Sequence, residues 1–189
     1  MRMSVAPENR PIVIASLFVV VILLAGTAYT LSTAGTAPLL SPNYLLQQLQ
    51  TGSFLGICAA GMMMVILLGQ IDLSVPWTLT AAAMTATAVG GDLALPTALG
   101  VGIAVGLLNG FGVAYLRIPS MIFTLGVDTV LRGLMVAQTG GFAPQDTATP
   151  LMLFLAKDKL LGIPVAIFVW AGVSAAIALM LTRTGFGRS

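Results

Sequence analysis

Few side chains in this sequence could carry out chemistry. The 189 residues include no histidine, and Cys58 is the one cysteine. Without histidine, neither a His-activated nucleophile nor a common His-containing zinc site can form, and one cysteine cannot make an internal disulfide. The run Met62-Met63-Met64 is more typical of adaptable packing than of metal binding, because no histidine or second cysteine accompanies it. We therefore expect no catalytic residue, no metal site and no cofactor.

The most distinctive polar group lies between residues 69 and 76, where the sequence reads Gly-Gln-Ile-Asp-Leu-Ser-Val-Pro. The glycine at its start and the proline at its end predict a non-helical insert. Asp72 and Ser74 precede an apolar segment, so their oxygens could cap the N-terminus of a helix that resumes at Thr78. Direct contact with a substrate is the second interpretation of the same two residues.

Asp128 and Arg132 form a second polar group. They are four residues apart and share a helical face with Thr124, one turn earlier. Two interpretations stay open: a self-neutralising ion pair, or a polar patch beside a translocation path. Asn109 is an isolated amide that could join two helices by hydrogen bonds or line a cavity.

The composition indicates what surrounds these groups. Hydrophobic residues make up 58% of the chain and charged residues 7%, whereas a soluble domain carries roughly 25% charged residues. The net charge of +2 comes from a few scattered basic residues, which cannot form a face that binds nucleic acid. A water-soluble globule is excluded. The predicted fold is all-α, a polytopic bundle of transmembrane helices.

Six apolar segments are predicted, and all but the third approach or exceed the length that crosses a bilayer, which is about 20 helical residues. The third, 78–89, is shorter and could be re-entrant. The insert separates the second from the third, so the chain is predicted to be broken or re-entrant around residues 69–78. A short polar helix is predicted over 43–50, and an external loop over 139–161. The whole chain, 1–189, is expected to be one membrane domain with a cytoplasmic tail at 1–11. The six segments are 12–31, 51–68, 78–89, 93–116, 120–137 and 163–181.

The basic residues predict an orientation. With a cytoplasmic N-terminus and six crossings, both termini are cytoplasmic, and the arginines obey the positive-inside rule. The cytoplasmic set is Arg2, Arg10, Arg117, Arg183 and Arg188, and the external set is Lys157 and Lys159. The first segment could instead be a cleavable signal peptide, although its apolar run is longer than such peptides usually have.

Small residues recur at every fourth position in the fourth apolar segment. In a membrane, small residues let helix backbones approach closely. A face that slides during transport is the alternative to static packing. The residues predicted to pack are Ala98, Gly102, Gly106 and Gly110, with Ala94 and Ala114 extending the stripe.

Further motifs follow the insert. They are Asn109-Gly110, Ile118-Pro119 with Thr124-Leu125-Gly126, Arg132-Gly133, Gly140-Gly141 and the ending Thr182-Arg183-Thr184-Gly185-Phe186-Gly187-Arg188. Together with the insert they resemble, in order and from about Leu40 onward, the ABC-importer permeases of the ribose and other simple-sugar branch. In that family the insert reads Gly-Gly-Ile-Asp-Leu-Ser-Val-Gly. Gln70 and Pro76 are departures from it, and so is Asp128, where the family has an apolar or small residue.

The resemblance implies a transporter subunit of the bacterial inner membrane rather than an enzyme. Its implied partners are a separate ATP-binding cassette ATPase subunit, a periplasmic sugar-binding protein and a second permease subunit, in a homo- or heterodimer. The chain has no phosphate-binding Gly-rich loop with lysine, which fits a subunit that takes ATP hydrolysis from a partner. No nucleic-acid partner is expected.

The resemblance and the polar groups together give candidate site residues. Those expected along the solute path are Asp72, Ser74, Asn109, Thr124, Asp128 and Arg132. Those expected at the ATPase are Arg183, Gly187 and Arg188, although the two arginines could equally be positive-inside anchors. In the family a coupling segment and several helices follow the Gly-Arg motif, so we expect this chain to be an N-terminal portion of a permease.

The expected cargo is a monosaccharide such as ribose. A branched-chain amino acid or a furanone signal would be a different cargo for the same machinery. A non-transporting membrane remnant or interaction protein would be a different class of protein. An intramembrane enzyme is least favoured, since no histidine is available to a serine or metal site.

Overall fold

The computed structural model describes residues 9–142 and 146–183, and most of the described residues are helical. The chain divides into two compact units, 1–52 and 53–189. The division falls within the second helix, so that helix contributes residues to both units.

The first unit contains helix α1 (Arg10–Ala34), a 3-10 turn (Pro38–Leu40) and the start of helix α2 (Pro42–Leu67). Gly35 ends α1 in the left-handed conformation, with a φ of 65° and a hydrogen bond from its amide to Leu31 O. The prediction of a separate short helix over 43–50 is wrong. Its residues form one continuous helix with the second apolar segment, because no proline or left-handed glycine interrupts α2.

The second unit contains the end of α2 and all later elements. These are α3 (Val75–Val89), a 3-10 turn (Gly91–Leu93), α4 (Ala94–Gly110), a π-helical segment (Phe111–Tyr115), α5 (Ser120–Thr139), α6 (Pro150–Lys157), strands β1 (Lys159–Leu160) and β2 (Ile163–Pro164), and α7 (Val165–Arg183). The two strands pair antiparallel as a hairpin.

Two boundaries differ from the sequence-based prediction. Helix α3 begins at Val75 rather than Thr78, because Pro76 lies in its first turn, where a missing amide removes no helical hydrogen bond. The segment 139–161 is not simply a loop, since it contains α6 and the first strand of the hairpin.

Five helical stretches in the described residues are long and apolar enough to cross a membrane. They are Arg10–Ala34, Pro42–Leu67, Gly91–Tyr115, Ser120–Thr139 and Val165–Arg183. The prediction of an all-α polytopic bundle is therefore confirmed. Helix α3 has 15 residues, about 22 Å at 1.5 Å per residue, and is too short to cross alone.

The residues before α3, and then α3 itself, follow α5 in the same direction. Near the start of α5, the Leu73 amide bonds to Thr124. Two turns further along, the Arg132 guanidinium carbon lies 5.9 Å from the centroid of the Trp77 ring. The third apolar segment thus follows α5 as a non-helical piece and then a helix. Within the described residues it does not turn back on itself between Leu73 and Trp77.

The core of the second unit lies where α3, α4 and α5 meet. Small side chains are buried there: Ala86 and Ala94 are fully inaccessible, and Ala81 is 2% exposed. Small residues allow the close helix approach on which membrane packing depends. Many Leu, Ile and Val side chains elsewhere are exposed, as expected of surfaces that face lipid.

Candidate functional site

Hydroxyl groups of α5 hold the insert between α2 and α3. The Ile71 amide donates to Ser120 Oγ over 3.2 Å, and the Leu73 amide donates to Thr124 Oγ1 over 3.0 Å. Two residues of extended chain advance about 6.6 Å and four residues of helix about 6 Å, so alternate amides meet successive turns of α5. These bonds supply partners for backbone that leaves a helix within the membrane.

On α4, Asn109 meets a carboxylate and a hydroxyl of the insert. Asp72 Oδ1 accepts hydrogen bonds from the Ser74 amide over 2.8 Å and from the Ser74 hydroxyl over 2.6 Å. Asn109 Nδ2 donates to Ser74 Oγ over 2.8 Å, and over 3.4 and 3.3 Å to the two oxygens of Asp72. We call these three residues the Asp72 cluster. It links the start of α3 to the C-terminal half of α4.

The predicted capping of α3 by Asp72 and Ser74 is wrong. Ser74 occupies the N-cap position, but its side chain makes no bond to the first turn. Its carbonyl, not its hydroxyl, accepts the Thr78 amide over 2.9 Å. The hydroxyl is engaged by Asp72 and Asn109 instead, so tertiary contact replaces the local cap.

A cavity of about 500 Å³ adjoins the Asp72 cluster. The end of α2, the insert, the C-terminal half of α4, the π-helical segment and the start of α5 line it, and one side of it is open. Asp72 and Asn109 belong to its lining, as do the backbone surfaces of Gly106 and Gly110. Asn109 is 7% exposed, and among the described residues its buried Oδ1 has no hydrogen-bond partner. A buried amide oxygen in that condition costs about 1–3 kcal/mol.

Two residues of this site were missed by the sequence-based reasoning. Ser120 directly follows Pro119 and lies one turn before Thr124, a spacing that could have suggested a pair of hydroxyls on one face. Gln70 was recognised only as a departure from the family signature. It is half-buried and lines the cavity.

Asp128 and Arg132 do not form the ion pair that their spacing suggested. Within the part of the chain that the structure describes, Asp128 Oδ1 is buried without a hydrogen-bond partner. The Arg132 guanidinium lies over the Trp77 ring instead, at a distance typical of a cation–π contact. The structure therefore places Thr124 in the site and leaves Asp128 and Arg132 outside its cavity lining.

Glycines pack closely at positions other than the predicted stripe. A Cβ added to Gly102, Gly106 or Gly110 would meet no atom within 4 Å. A Cβ on Gly56 would overlap the Trp170 indole, and one on Gly112 would overlap the Phe123 ring. Among the described residues, then, Gly56 and Gly112 make room for aromatic rings. The backbone at Gly102, Gly106 and Gly110 has no packing neighbour on the side where a Cβ would lie. Ala98 is half-buried on α4.

Of the residues predicted to contact an ATPase, the structure describes Arg183. Arg183 ends α7 and is exposed. Gly187 and Arg188 lie outside the described residues, so their predicted role stays a prediction.

Comparison with known proteins decides the family. Residues 44–189 match the family described as "Branched-chain amino acid transport system / permease component". The chain belongs to this permease family. Membership confirms the resemblance found in the motifs. With the five long apolar helices it indicates a multi-pass protein of the inner membrane.

Individual relatives come from ribose and signal import systems. The ribose import permease protein RbsC of Escherichia coli (strain K12) is 34% identical over 163 residues, which cover 79% of this chain and 50% of that protein. The autoinducer 2 import system permease protein LsrC of Salmonella paratyphi B (strain ATCC BAA-1250 / SPB7) is 32% identical over 155 residues, covering 79% and 44% respectively. The chain thus spans about half the length of these relatives. No solved structure matches the chain.

Proposed function

We propose that this chain is a permease subunit of an ATP-driven importer that carries ribose or a related monosaccharide across the bacterial inner membrane. The family description and the names of the relatives both support a transport component. The chain's own sequence contains no phosphate-binding Gly-rich loop with lysine, which supports an ATPase on a separate partner subunit.

The broken span with its cavity carries this proposal. Transporters commonly build substrate sites where a transmembrane helix is interrupted, because interrupted backbone and the polar groups around it face a cavity rather than lipid. Here the interruption at residues 69–74 brings Asp72, Ser74 and Asn109 together beside about 500 Å³ of space. That volume is within the range of small-molecule sites, which combine a mostly apolar wall with a few polar groups. Thr124 belongs to the path as the residue that fixes the insert.

The rest of the path and the topology follow from the same broken span. Counting it as a crossing gives six, with both termini in the cytoplasm and Arg117 on the cytoplasmic side. Asp128 and Arg132 then lie further along α5 from the cytoplasmic end, where they extend the path outwards. In this arrangement the chain forms one membrane domain, with 1–11 cytoplasmic and 139–161 external.

The partners we propose are an ATPase subunit, a periplasmic sugar-binding protein and a second permease subunit. The exposed end of α7 at Arg183, with Gly187 and Arg188 beyond it, is the proposed ATPase contact. Ala98 and Gly102 are the proposed packing surface, because open backbone on α4 admits a helix of another segment or subunit at close range.

A co-purification and uptake experiment tests this function. The full reading frame, carrying an affinity tag, is co-expressed with the ATPase and binding protein encoded beside it in a strain that lacks its own ribose permease. We expect the ATPase to be retained with the tagged protein and radiolabelled D-ribose to enter faster than in cells with an empty vector. A membrane protein that inserts but retains no ATPase would instead be an interaction protein or a non-transporting remnant.

Import of autoinducer 2 is the second candidate function, favoured by the 32% identity to the Salmonella relative. The same strains distinguish the two. Depletion of autoinducer 2 from the medium without ribose uptake would assign the signal as cargo, and uptake of leucine alone would assign a branched-chain amino acid.

A further inference from the structure

The hairpin of strands β1 and β2 lies directly before α7 and is tied to it. The amide of Val165, the first residue of α7, donates a hydrogen bond to Asp158 O over 2.9 Å. This bond closes the hairpin at its base, so the hairpin stays beside the start of α7. Each extended residue advances about 3.4 Å, so the turn at Leu161 and Gly162 lies within roughly 10 Å of that start.

Helix α7 places the hairpin at a bilayer surface. Its 19 residues are apolar enough to cross a membrane and extend over about 28 Å, close to the hydrocarbon thickness of about 30 Å. When α7 crosses, its first residue therefore lies at the edge of the hydrocarbon. The headgroup layer extends roughly 5–8 Å beyond that edge, so the hairpin lies in or beside this layer.

The hairpin exposes three large apolar side chains at this level. Leu161 is 94% exposed, Leu160 54% and Ile163 40%. Leu160 and Ile163 are paired directly across the strands, so their side chains share one face. Leu161 has a φ of 53°, in the left-handed region that asparagine or glycine usually occupies in a two-residue hairpin turn. A leucine is strained there, and its exposure shows that packing within the described residues does not compensate the strain.

Two lysines flank these apolar side chains. Lys157 ends α6 and Lys159 begins β1, and both are exposed, as is Asp158 between them. Two lysines and one aspartate give this end of the hairpin a net positive charge. Apolar side chains next to lysines are typical of segments in a membrane interface, because acyl chains bury the former and phosphates attract the latter. A bilayer supplies both partners at the level that α7 sets.

We propose that the hairpin anchors the start of α7 in the membrane surface. Leu160, Leu161 and Ile163 lie among the upper parts of the acyl chains, and Lys157 and Lys159 bind the phosphates of anionic phospholipids. Burial of Leu161 in acyl chains compensates the strain of its backbone. The proposal requires α7 to cross the bilayer, but it depends neither on the proposed cargo nor on which side of the membrane α7 begins.

Photocrosslinking identifies what covers the hairpin. The photoreactive residue p-benzoylphenylalanine replaces Leu161 in one variant of the full reading frame and Leu160 in a second. A third variant carries it at Thr147, an exposed polar residue shortly before α6, as the matched control. Cells that also express the proposed ATPase and binding protein are irradiated, and mass spectrometry identifies each adduct. We expect phospholipid adducts at Leu161 and Leu160 and several-fold fewer at Thr147.

The same variants, purified into nanodiscs of phosphatidylethanolamine and phosphatidylglycerol, test the role of charge. We expect phosphatidylglycerol among the Leu161 adducts at roughly fivefold its share of the bilayer, the preference expected for one net positive charge. Replacing both lysines, as Lys157→Gln with Lys159→Gln, should abolish this preference. Asp158→Asn is the control of opposite sign, because removing the carboxylate should increase the preference.

Three results would overturn the proposal. A protein adduct at Leu161 in cells, from the binding protein or a second copy of the chain, in place of lipid would make the hairpin a protein-docking surface. Equal lipid capture at Thr147 would show that the photoreactive group itself seeks lipid. A phosphatidylglycerol share that ignores all three charge changes would exclude the phosphate contacts. Failure of the proposed function looks different, since the unmodified protein would then retain no ATPase and import no ribose in cells.

Discussion

Two pairs of polar residues in the second unit differ in whether their side chains interact. Asp72 and Asn109 are 37 positions apart, yet their side chains are hydrogen-bonded to each other and to Ser74. Asp128 and Arg132 are four positions apart on one helix and do not pair. The difference shows that spacing along a helix permits an ion pair but does not require one. An interrupted backbone, in contrast, needs partners wherever the chain can find them.

The largest effect is expected from removing the acceptor at the centre of the distant pair. Asp72→Ala leaves the Ser74 amide, the Ser74 hydroxyl and one Asn109 amide proton without their acceptor, so we expect a loss of about 3 kcal/mol in unfolding free energy. Unfolding of the purified protein by SDS titration in mixed micelles would measure the loss.

The matched control is Asp72→Asn, which keeps an acceptor oxygen but removes the charge. We expect it to retain more than half of the lost stability. Equal destabilisation by Ala and Asn would show that the negative charge, and not the hydrogen-bond geometry, holds the cluster together.

A smaller effect is expected where α5 fixes the insert. Thr124→Val preserves the shape of the side chain but removes the oxygen that accepts the Leu73 amide. Thr124 is 2% exposed, so water cannot replace that oxygen, and we expect a loss of about 1–2 kcal/mol. Hydrogen exchange at the Leu73 amide should also become faster.

Thr129→Val is the control for that change. Thr129 is exposed on the same helix, and its hydroxyl only bonds back to Leu125 O. We expect its unfolding free energy to change by less than about 0.5 kcal/mol. If both variants lost the same stability, threonine would matter to α5 through helix propensity rather than through the insert.

The same comparison explains how much could be predicted from the sequence. The five long apolar helices and the break before α3 were predictable, because hydropathy, glycine and proline act locally. The hydrogen-bond partners of the Ile71 and Leu73 amides were not predictable. They lie about 50 residues further along the chain, on Ser120 and Thr124, and identifying them requires the register between the insert and α5. Register depends on the packing of three helices, which no single stretch of sequence contains.

The remaining errors have a similar origin. Asp72 and Ser74 have the residue types of a helix cap, but the Ser74 hydroxyl accepts a hydrogen bond from Asn109 instead of from the first turn of α3. Periodicity correctly placed Asp128 and Arg132 on one face of α5, yet it says nothing about rotamers. Trp77 on the neighbouring helix offers the guanidinium an aromatic surface that the sequence could not reveal.

The smallest effect is expected from the adjacent pair, and a double-mutant cycle compares it directly with the distant one. For Asp128→Asn and Arg132→Gln, we expect each single change to alter the unfolding free energy by less than about 1 kcal/mol and the coupling between them to be near zero. For Asp72→Ala with Asn109→Ala, the coupling should fall within the roughly 0.5–3 kcal/mol seen for residues in one network. Both cycles use the same SDS titration, so differences in micelle or method cancel. A coupling between Asp128 and Arg132 as large as that between Asp72 and Asn109 would mean that the two side chains do pair in the folded protein. Closeness in sequence would then be enough to make two polar side chains pair in this protein. The interrupted backbone would not be needed to explain why Asp72 and Asn109 interact.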